Sequence, residues 1–312
     1  MSTDHKPQFT TLDISELTRI TIWGVGLIGG SLGLALKKFG FKGELVGLGR
    51  NISRLENALQ QNAVDLVTTD LEEGIYNCDI VVLCVPVDLV PEFVNRIIDT
   101  VGTQKKGIVV TDVGSTKSEL VHTVQQHIQS AKTHSVSFIG GHPMAGSHET
   151  GVGAARANLF EDAKCLITPT DDTDKDALQL VKNLWNFVGA VPYQCTPEVH
   201  DLLIGTASHL PHLIASILAN TVAEMEIPEG KALEFTATGF RDSTRIAAGS
   251  PELWTGIFMQ NRDVMLSLID SFIGNMNEIK TLLQKGDITE IERILVDAQD
   301  IVLKHRNSLG EK

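Results

Sequence analysis

Between Arg19 and Cys195 the chain alternates short, unbroken Val/Ile/Leu runs with amphipathic segments of helical length, and few folds tolerate that pattern. The runs are RITIWG (19–24), ELVGLG (44–49), DIVVLCVP (79–86), GIVVTDVG (107–114), VSFIGG (136–141), KCLITP (164–169) and AVPYQC (190–195). A strand with one face in water alternates apolar and polar residues. Several of these runs do not, as expected of parallel strands covered by helices on both faces. Residues 27–39, 52–61, 88–100, 117–131 and 174–188 supply those helices. The pattern predicts an α/β domain over 1–195 with a doubly wound, mostly parallel sheet.

After Thr196 the strand signals stop. Thr196 suits an N-cap, Pro197 the first helical position, and Glu198 complements the helix dipole. A long helix is expected to about residue 226. Pro228–Gly230 breaks it, and helices resume over 231–247, 251–280 and 287–308. The second domain, 196–312, is therefore expected to be all-α. Runs such as Leu213–Leu218 and Val264–Ile269 give it more apolar surface than a small helical domain can hide, which predicts a homodimer through 197–312.

Trp23 is followed by Gly24-Val25-Gly26-Leu27-Ile28-Gly29-Gly30-Ser31, a G-x-G-x-x-G run after a strand and opening a helix. In that context Gly24 permits the tight turn, Gly26 lets the backbone approach a pyrophosphate, and Gly29 lets helix and strand pack closely. The first-turn N–H groups, around Leu27 and Ile28, offer positive potential to phosphates. A Rossmann-like dinucleotide site is the expectation, with Val85 and Pro86 at the end of the run 79–86 assigned to it as well. An NAD site usually carries Asp or Glu at the end of the second strand. Here Gly49 stands in that place, followed by Arg50, Asn51, Ser53 and Arg54. Forked guanidinium groups hold a ribose 2′-phosphate well, so NADP is expected in preference to NAD. The plainer alternative is that the arginines are solvated helix-start charges.

Polar loops at strand C-termini carry the other candidates. In Asp112-Val113-Gly114-Ser115-Thr116-Lys117, Ser115 is the best-placed hydroxyl, and it reads equally well as a helix N-cap. In Gly140-Gly141-His142-Pro143-Met144-Ala145-Gly146, His142 is expected on a tight, non-helical loop and is the natural acid/base group. On the long helix, Asp201 and His212 are eleven residues apart, about three turns, and are expected on similar sides. His209 lies between them. Gly239 precedes Asp242 and Arg245 and lets backbone come close to a ligand or another helix. The i,i+3 spacing of Asp242 and Arg245 fits either an ion pair or an arginine clamp for an anion held by a neighbouring acid. His209-x-x-His212 has no matching carboxylate or cysteine and has a proline inside it, so no metal is expected.

Composition excludes several classes. The net charge is -13 and no run of Lys/Arg exists, so a nucleic-acid surface is not expected. The apolar stretches read as interrupted before eighteen residues, so no membrane helix is expected. The start MSTDHKPQF has no apolar signal region, and the four scattered cysteines have no CxxC, which fits reduced thiols in the cytoplasm.

GxGLIGGS, DVGSxK, GGHPMAG, HD…SHLPH and GF-R-D-x-TRIA…P-x-x-W follow one another in this order. Together they resemble the prephenate/arogenate dehydrogenase family of tyrosine biosynthesis, over about residues 19–305. The resemblance implies a Rossmann-like domain followed by an all-α dimerisation domain. It implies oxidative decarboxylation of prephenate or arogenate to 4-hydroxyphenylpyruvate or tyrosine, with hydride transfer to a nicotinamide cofactor. By the same resemblance His142 matches the catalytic histidine and Ser115 a serine beside it. His212 and Arg245 match substrate-binding residues, Asp242 and Asp201 the acids that order the site, and Trp254 an aromatic near it. The HPMAG loop continues Ser147-His148-Glu149, which departs from the family pattern. Neither a mutase domain before the chain nor a ligand-sensing domain after it is expected.

Overall fold

In a computed structural model, the described residues are 13–101, 107–133, 135–146, 149–228 and 230–309. They divide after Asn261 into two compact units.

The first unit is built on an eight-stranded sheet in the order β3-β2-β1-β4-β5-β6-β7-β8. The strands are β1 (Arg19–Trp23), β2 (Glu44–Leu48), β3 (Leu66–Thr68), β4 (Ile80–Leu83), β5 (Ile108–Asp112), β6 (Val136–Pro143), β7 (Lys164–Thr168) and β8 (Val191–Gln194). All neighbours pair in parallel except β6 and β7. The strand order reverses between β1 and β4, the crevice in which open α/β sheets bind ligands. Helices α1 (Leu27–Lys38), α2 (Ile52–Gln60), α3 (Leu71–Ile75), α4 (Val90–Val101), α5 (Ser118–Ala131) and α6 (Lys175–Phe187) cover it. One apolar core joins Leu32 and Leu36 of α1 to Leu184 and Trp185 of α6. The other joins Val94 and Ile97 of α4 to Leu120 and Val124 of α5. Both faces of the sheet are thus buried, as the unbroken apolar runs require.

Two short elements, β3 and α3, escaped the sequence reading, being too brief to show a period. His142 was expected on a loop. It lies instead inside β6, because antiparallel pairing with β7 (His142 opposite Leu166, Pro143 opposite Cys165) carries the strand past the diglycine. Gly140 is required there: a Cβ would come within 2.3 Å of Thr168 Oγ1.

The long helix begins as the sequence predicts, with Thr196 Oγ1 accepting the Val199 N–H and Pro197 in the first turn. It runs as α7 (Pro197–Ile204), a π turn (Gly205–His209) and α8 (Leu210–Glu224). Leu210 N–H reaches back five residues to Gly205 O, and Pro211 has no N–H to offer the previous turn. This 28-residue stretch, with an 18-residue window of mean hydropathy 1.5, is by length and composition long and apolar enough to cross a membrane, contrary to the sequence expectation. Its Asp201 carboxylate and His200 instead bond to the sheet half of the same unit, contacts that a bilayer cannot supply.

The expected helix 231–247 is not continuous. A two-stranded ribbon, β9 (Glu226–Ile227) and β10 (Gly230–Lys231), and a 3-10 turn (Ala232–Phe235) precede the short α9 (Thr238–Thr244), and a second 3-10 turn (Arg245–Ala248) follows it. The segment 251–280 is likewise divided. α10 (Pro251–Gln260) is capped by the Ser250 side chain and ends at Asn261. The second unit consists of α11 (Arg262–Lys285) and α12 (Ile288–Leu309), joined through Gly286 in the left-handed region (φ 65°). Along them Leu266, Ile273, Leu283, Leu295 and Ile301 are exposed.

Candidate active site

The glycine loop crosses the C-terminal ends of β1 and β4. Gly24 has φ +99°, and a Cβ on it would sit 2.4 Å from Cys84 O, so no other residue fits the turn. A Cβ on Gly29 would meet Gly24 O at 2.3 Å, whereas around Gly26 nothing lies within 4 Å and the backbone is open to a ligand. Helix α1 starts at Leu27 with no side-chain cap, so its first-turn N–H groups, including those of Leu27 and Ile28, face outward as phosphate donors. A cleft of about 660 Å³ opens here, lined by the loop and by Arg50, Asn51 and Arg54. Thr150, Gly151, Val152 and Gly153 form a further wall, which the sequence reading missed. Asn51 also caps α2, its Oδ1 accepting the Arg54 N–H at 3.1 Å. Ser53 is exposed beside them, Val85 is half-buried, and Pro86 is exposed at the end of β4. The open loop and uncapped helix fit a dinucleotide pyrophosphate.

The neighbouring loop, after β5, is held from below. Asp112 is fully buried, and its Oδ2 accepts from Lys117 Nζ and from Gly114 N, each at 2.8 Å. Its Oδ1 accepts the Gly141 N–H at 3.1 Å, joining this loop to the strand of His142. Lys117, also fully buried, donates further to Gly114 O at 2.7 Å and Thr116 O at 3.1 Å. These bonds arch the backbone over Ser115. The N-cap reading of Ser115 falls away: α5 begins after Lys117, and its first N–H groups go to another helix. Asp201 on α7 provides the cap, Oδ1 accepting from Lys117 N and Oδ2 from Ser118 N, both at 2.8 Å. Ser115 is left half-buried, with no capping duty for its hydroxyl.

Asp201 also reaches His142 through His200, its neighbour in the HD pair, to which the sequence reading gave no role. His200, fully buried, bonds Asp201 Oδ1 through Nδ1 at 2.7 Å and His142 Nδ1 through Nε2 at 2.9 Å. Burial is the largest cause lowering the pKa of both histidines below the usual imidazole value, and for His142 the neighbouring His200 and Lys117 add to it. A neutral imidazole tied to a carboxylate through a second imidazole can take up a proton from a bound hydroxyl.

The π turn rearranges the other histidines. On a regular helix His209 would stand about 80° from Asp201 and His212 about 20° from it. Taking up one extra residue reverses the two, so the expected alignment of Asp201 with His212 does not occur. His209 comes to Asp201 instead: Asn261 Nδ2 bonds both Asp201 O (2.9 Å) and His209 Nδ1 (3.1 Å). Desolvation lowers the His209 pKa to about 4, and its buried Nε2 has no hydrogen-bond partner among the described residues. His212 stacks on Trp254 at 3.5 Å between ring centroids, only 16° from coplanar.

Asp242 and Arg245 do not pair. Helix α9 ends at Thr244, so the helical i,i+3 geometry is lost, and Asp242 meets Arg241 at 3.4 Å on the surface. Arg245 is exposed, with no ion pair among the described residues. A Cβ on Gly239 would touch nothing within 4 Å, so no second helix among the described residues presses on it. Ser147 and His148 lie outside the described residues. No group of three or more metal-ligating side chains occurs among the described residues.

This geometry agrees with what sequence and structure comparisons find. Residues 32–194 match the family profile "Prephenate dehydrogenase, nucleotide-binding domain", and residues 196–297 match "Prephenate dehydrogenase, dimerization domain". The prephenate dehydrogenase of Bacillus subtilis is 34% identical over 281 residues, covering 90% of this chain and 74% of that one. The chain belongs to the prephenate dehydrogenase family. The structure of the A. aeolicus prephenate dehydrogenase in complex with hydroxyphenyl propionate and NAD+ superposes with a TM-score of 0.84 at 32% identity, covering 93% of this chain and 98% of that one. The Synechocystis arogenate dehydrogenase superposes with a TM-score of 0.79 at 29% identity, covering 92% and 100%. As a member of the prephenate dehydrogenase family, the chain is an oxidoreductase with an N-terminal nucleotide-binding domain and a helical C-terminal domain.

Proposed function

We propose that the protein catalyses the oxidative decarboxylation of prephenate or arogenate, giving 4-hydroxyphenylpyruvate or tyrosine, with NADP as the preferred cofactor. The observation that carries this reading is the Asp201–His200–His142 chain, which sets a buried neutral histidine beside the loop of Ser115 in a nucleotide-binding sheet. Relatives that bear these two substrates in their names, a prephenate and an arogenate dehydrogenase, match nearly the whole chain.

The substrate is a cyclohexadiene with a carboxylate and a hydroxyl at opposite ring carbons. When bound, the nicotinamide supplies the acceptor for the hydride that leaves the hydroxyl-bearing carbon. His142 Nε2 takes the hydroxyl proton as the carbonyl forms, and Ser115 positions that oxygen. Loss of carbon dioxide then aromatises the ring, which makes the reaction effectively irreversible. Arg245 and His212 bind the substrate carboxylates, with Trp254 holding the His212 ring. Asp242, Gly239 and His209 belong to the wall of this region. Alignment of the reacting carbon and general-base help supply the acceleration.

In the cofactor cleft, the backbone of Gly24, Gly26 and Gly29 and the first turn of α1 take the pyrophosphate. Arg50 and Arg54, with Asn51 and Ser53 at the same helix start, take the 2′-phosphate, while Val85 and Pro86 flank the nicotinamide end. The A. aeolicus relative was solved with NAD+, so the preference for NADP rests on these arginines in place of an acid. Of the acids that could meet an arogenate ammonium, Glu149, Glu198 and Asp201, the last is committed to three N–H donors and Glu198 bonds His122 at 2.6 Å.

The reading assigns 1–195 to the cofactor and 196–312 to substrate binding and homodimerisation, through the exposed apolar residues of the helices. It places the enzyme in the cytoplasm, where four free cysteines stay reduced, with neither nucleic acid nor membrane as partner. Steady-state turnover with prephenate and with arogenate, each with NADP and with NAD, tests it. Turnover of one of the two substrates, faster with NADP, is expected; none with either would overturn the assignment.

A further inference from the structure

The hydrogen-bond chain behind His142 fixes where each proton sits. A carboxylate only accepts, so the 2.7 Å contact with Asp201 Oδ1 puts the His200 proton on Nδ1. Burial keeps His200 neutral, and a neutral imidazole has a single N–H, so its Nε2 carries a lone pair. The 2.9 Å contact to that atom then requires His142 to donate from Nδ1. Asp201 cannot swing away, because Lys117 N and Ser118 N hold its two oxygens at 2.8 Å. His200 is wholly buried, which leaves its ring no exchange with water.

We propose that His200 is a positioning residue that, anchored by Asp201, selects the Nδ1–H tautomer of His142 and so makes Nε2 the basic nitrogen. An unconstrained neutral imidazole in water favours the opposite tautomer, with the proton on Nε2. Such a histidine would present a donor to the substrate hydroxyl where the reaction needs an acceptor. The inference rests on the reading of His142 as the base. It adds that the base is competent only in one tautomer and that a residue 58 positions away imposes it. The same carboxylate caps α5, so one side chain sets both the histidine tautomer and the start of the helix after Ser115.

The test is long-range ¹H–¹⁵N spectroscopy of histidine-labelled resting protein near neutral pH, with His142 assigned by its loss in His142→Asn. The parent is expected to show His142 protonated at Nδ1 and bare at Nε2. His200→Phe, which fills the space and removes the acceptor, should move the proton to Nε2. It should lower kcat at least 10²-fold with KM little changed, the scale of a lost general base. His200→Gln, whose amide offers Asp201 a donor and His142 an acceptor, should restore the Nδ1–H form and part of the lost kcat. An Nε2–H tautomer in the parent overturns the inference, as does an unchanged tautomer or parental kcat in His200→Phe. If His200→Phe does not fold, the parent and His200→Gln spectra still decide. Parental turnover by His142→Asn would instead defeat the reading of His142 as base, a separate outcome because the tautomer is read without turnover.

Discussion

Lys117 Nζ lies 2.8 Å from Asp112 Oδ2, and both side chains are wholly shielded from water. Removing one partner of such a pair leaves an uncompensated buried charge, at a cost of about 3–5 kcal/mol. Lys117→Met is expected to destabilise the protein by that amount in urea unfolding. It should also loosen the Ser115 loop, because Nζ holds Gly114 O and Thr116 O as well. A variant unfolding within about 1 kcal/mol of the parent would show that the pair is not needed for stability.

Acid stability follows from the histidines. His142, His200 and His209 are buried with lowered pKa, burial being the largest cause for each. The folded state therefore resists protons that the unfolded chain accepts. The stability present above the unfolded value, about 6.5, is lost as pH falls through the folded values, about 4 for His209. Urea midpoints measured from pH 7.5 down to 4.5 should fall steadily below pH 6.5, and less steeply in His209→Asn.

His142→Asn keeps the size of the side chain and some hydrogen bonding but cannot take a proton. The turnover number should drop roughly 10²–10⁴-fold with little change in substrate KM. Because the pKa of His142 is lowered, the parent should keep its activity at pH 6, where an ordinary histidine is largely charged. A steep loss of kcat between pH 7 and 6 would contradict this.

Arg245 has no ion pair to lose among the described residues, so Arg245→Ala should unfold like the parent. If its fork binds a substrate carboxylate, KM should rise roughly 30- to 1000-fold, the equivalent of about 2–4 kcal/mol. Lysine should not rescue it, being a point charge without the fork. The Michaelis constant for NADP should stay put, and unaltered kinetics would return Arg245 to the solvated surface.

Arg50→Ala tests the cofactor reading. The variant should have a raised KM for NADP and nearly the parental KM for NAD, measured by initial rates. Equal catalytic efficiency of the parent with both cofactors would remove the basis for a 2′-phosphate site.

The parts of the site that were legible in the sequence are those set by local sterics. Gly24 to Gly29 and the helix they open follow from turn geometry and strand–helix packing. The Thr196 cap and Pro197 likewise place the start of α7. Leu66–Thr68 and Leu71–Ile75 were not legible, because three and five residues are too few to show a period. The link from Asp201 through His200 to His142 is tertiary, and only the adjacency of a histidine to an acid at the start of an apolar helix hinted at it. The i,i+3 spacing of Asp242 and Arg245 misled, because the helix ends between them.

The π turn at Gly205–His209 holds one residue more than an α-helix over the same arc would need. Deleting Ala207 would return the segment to the α-helical period, with a regular bond ladder up to Pro211 and a helix of more ordinary geometry. The same deletion would leave the downstream face where it is, because seven α-helical steps set the present His209 about 20° from Asp201, as the π turn does with eight. Straightening the turn with all its residues kept would instead rotate everything downstream by about 100°, carrying His209 off Asn261 and His212 off Trp254. The phase between Asp201 and the two downstream histidines therefore survives the loss of one residue here but not a straightening of the turn at constant length.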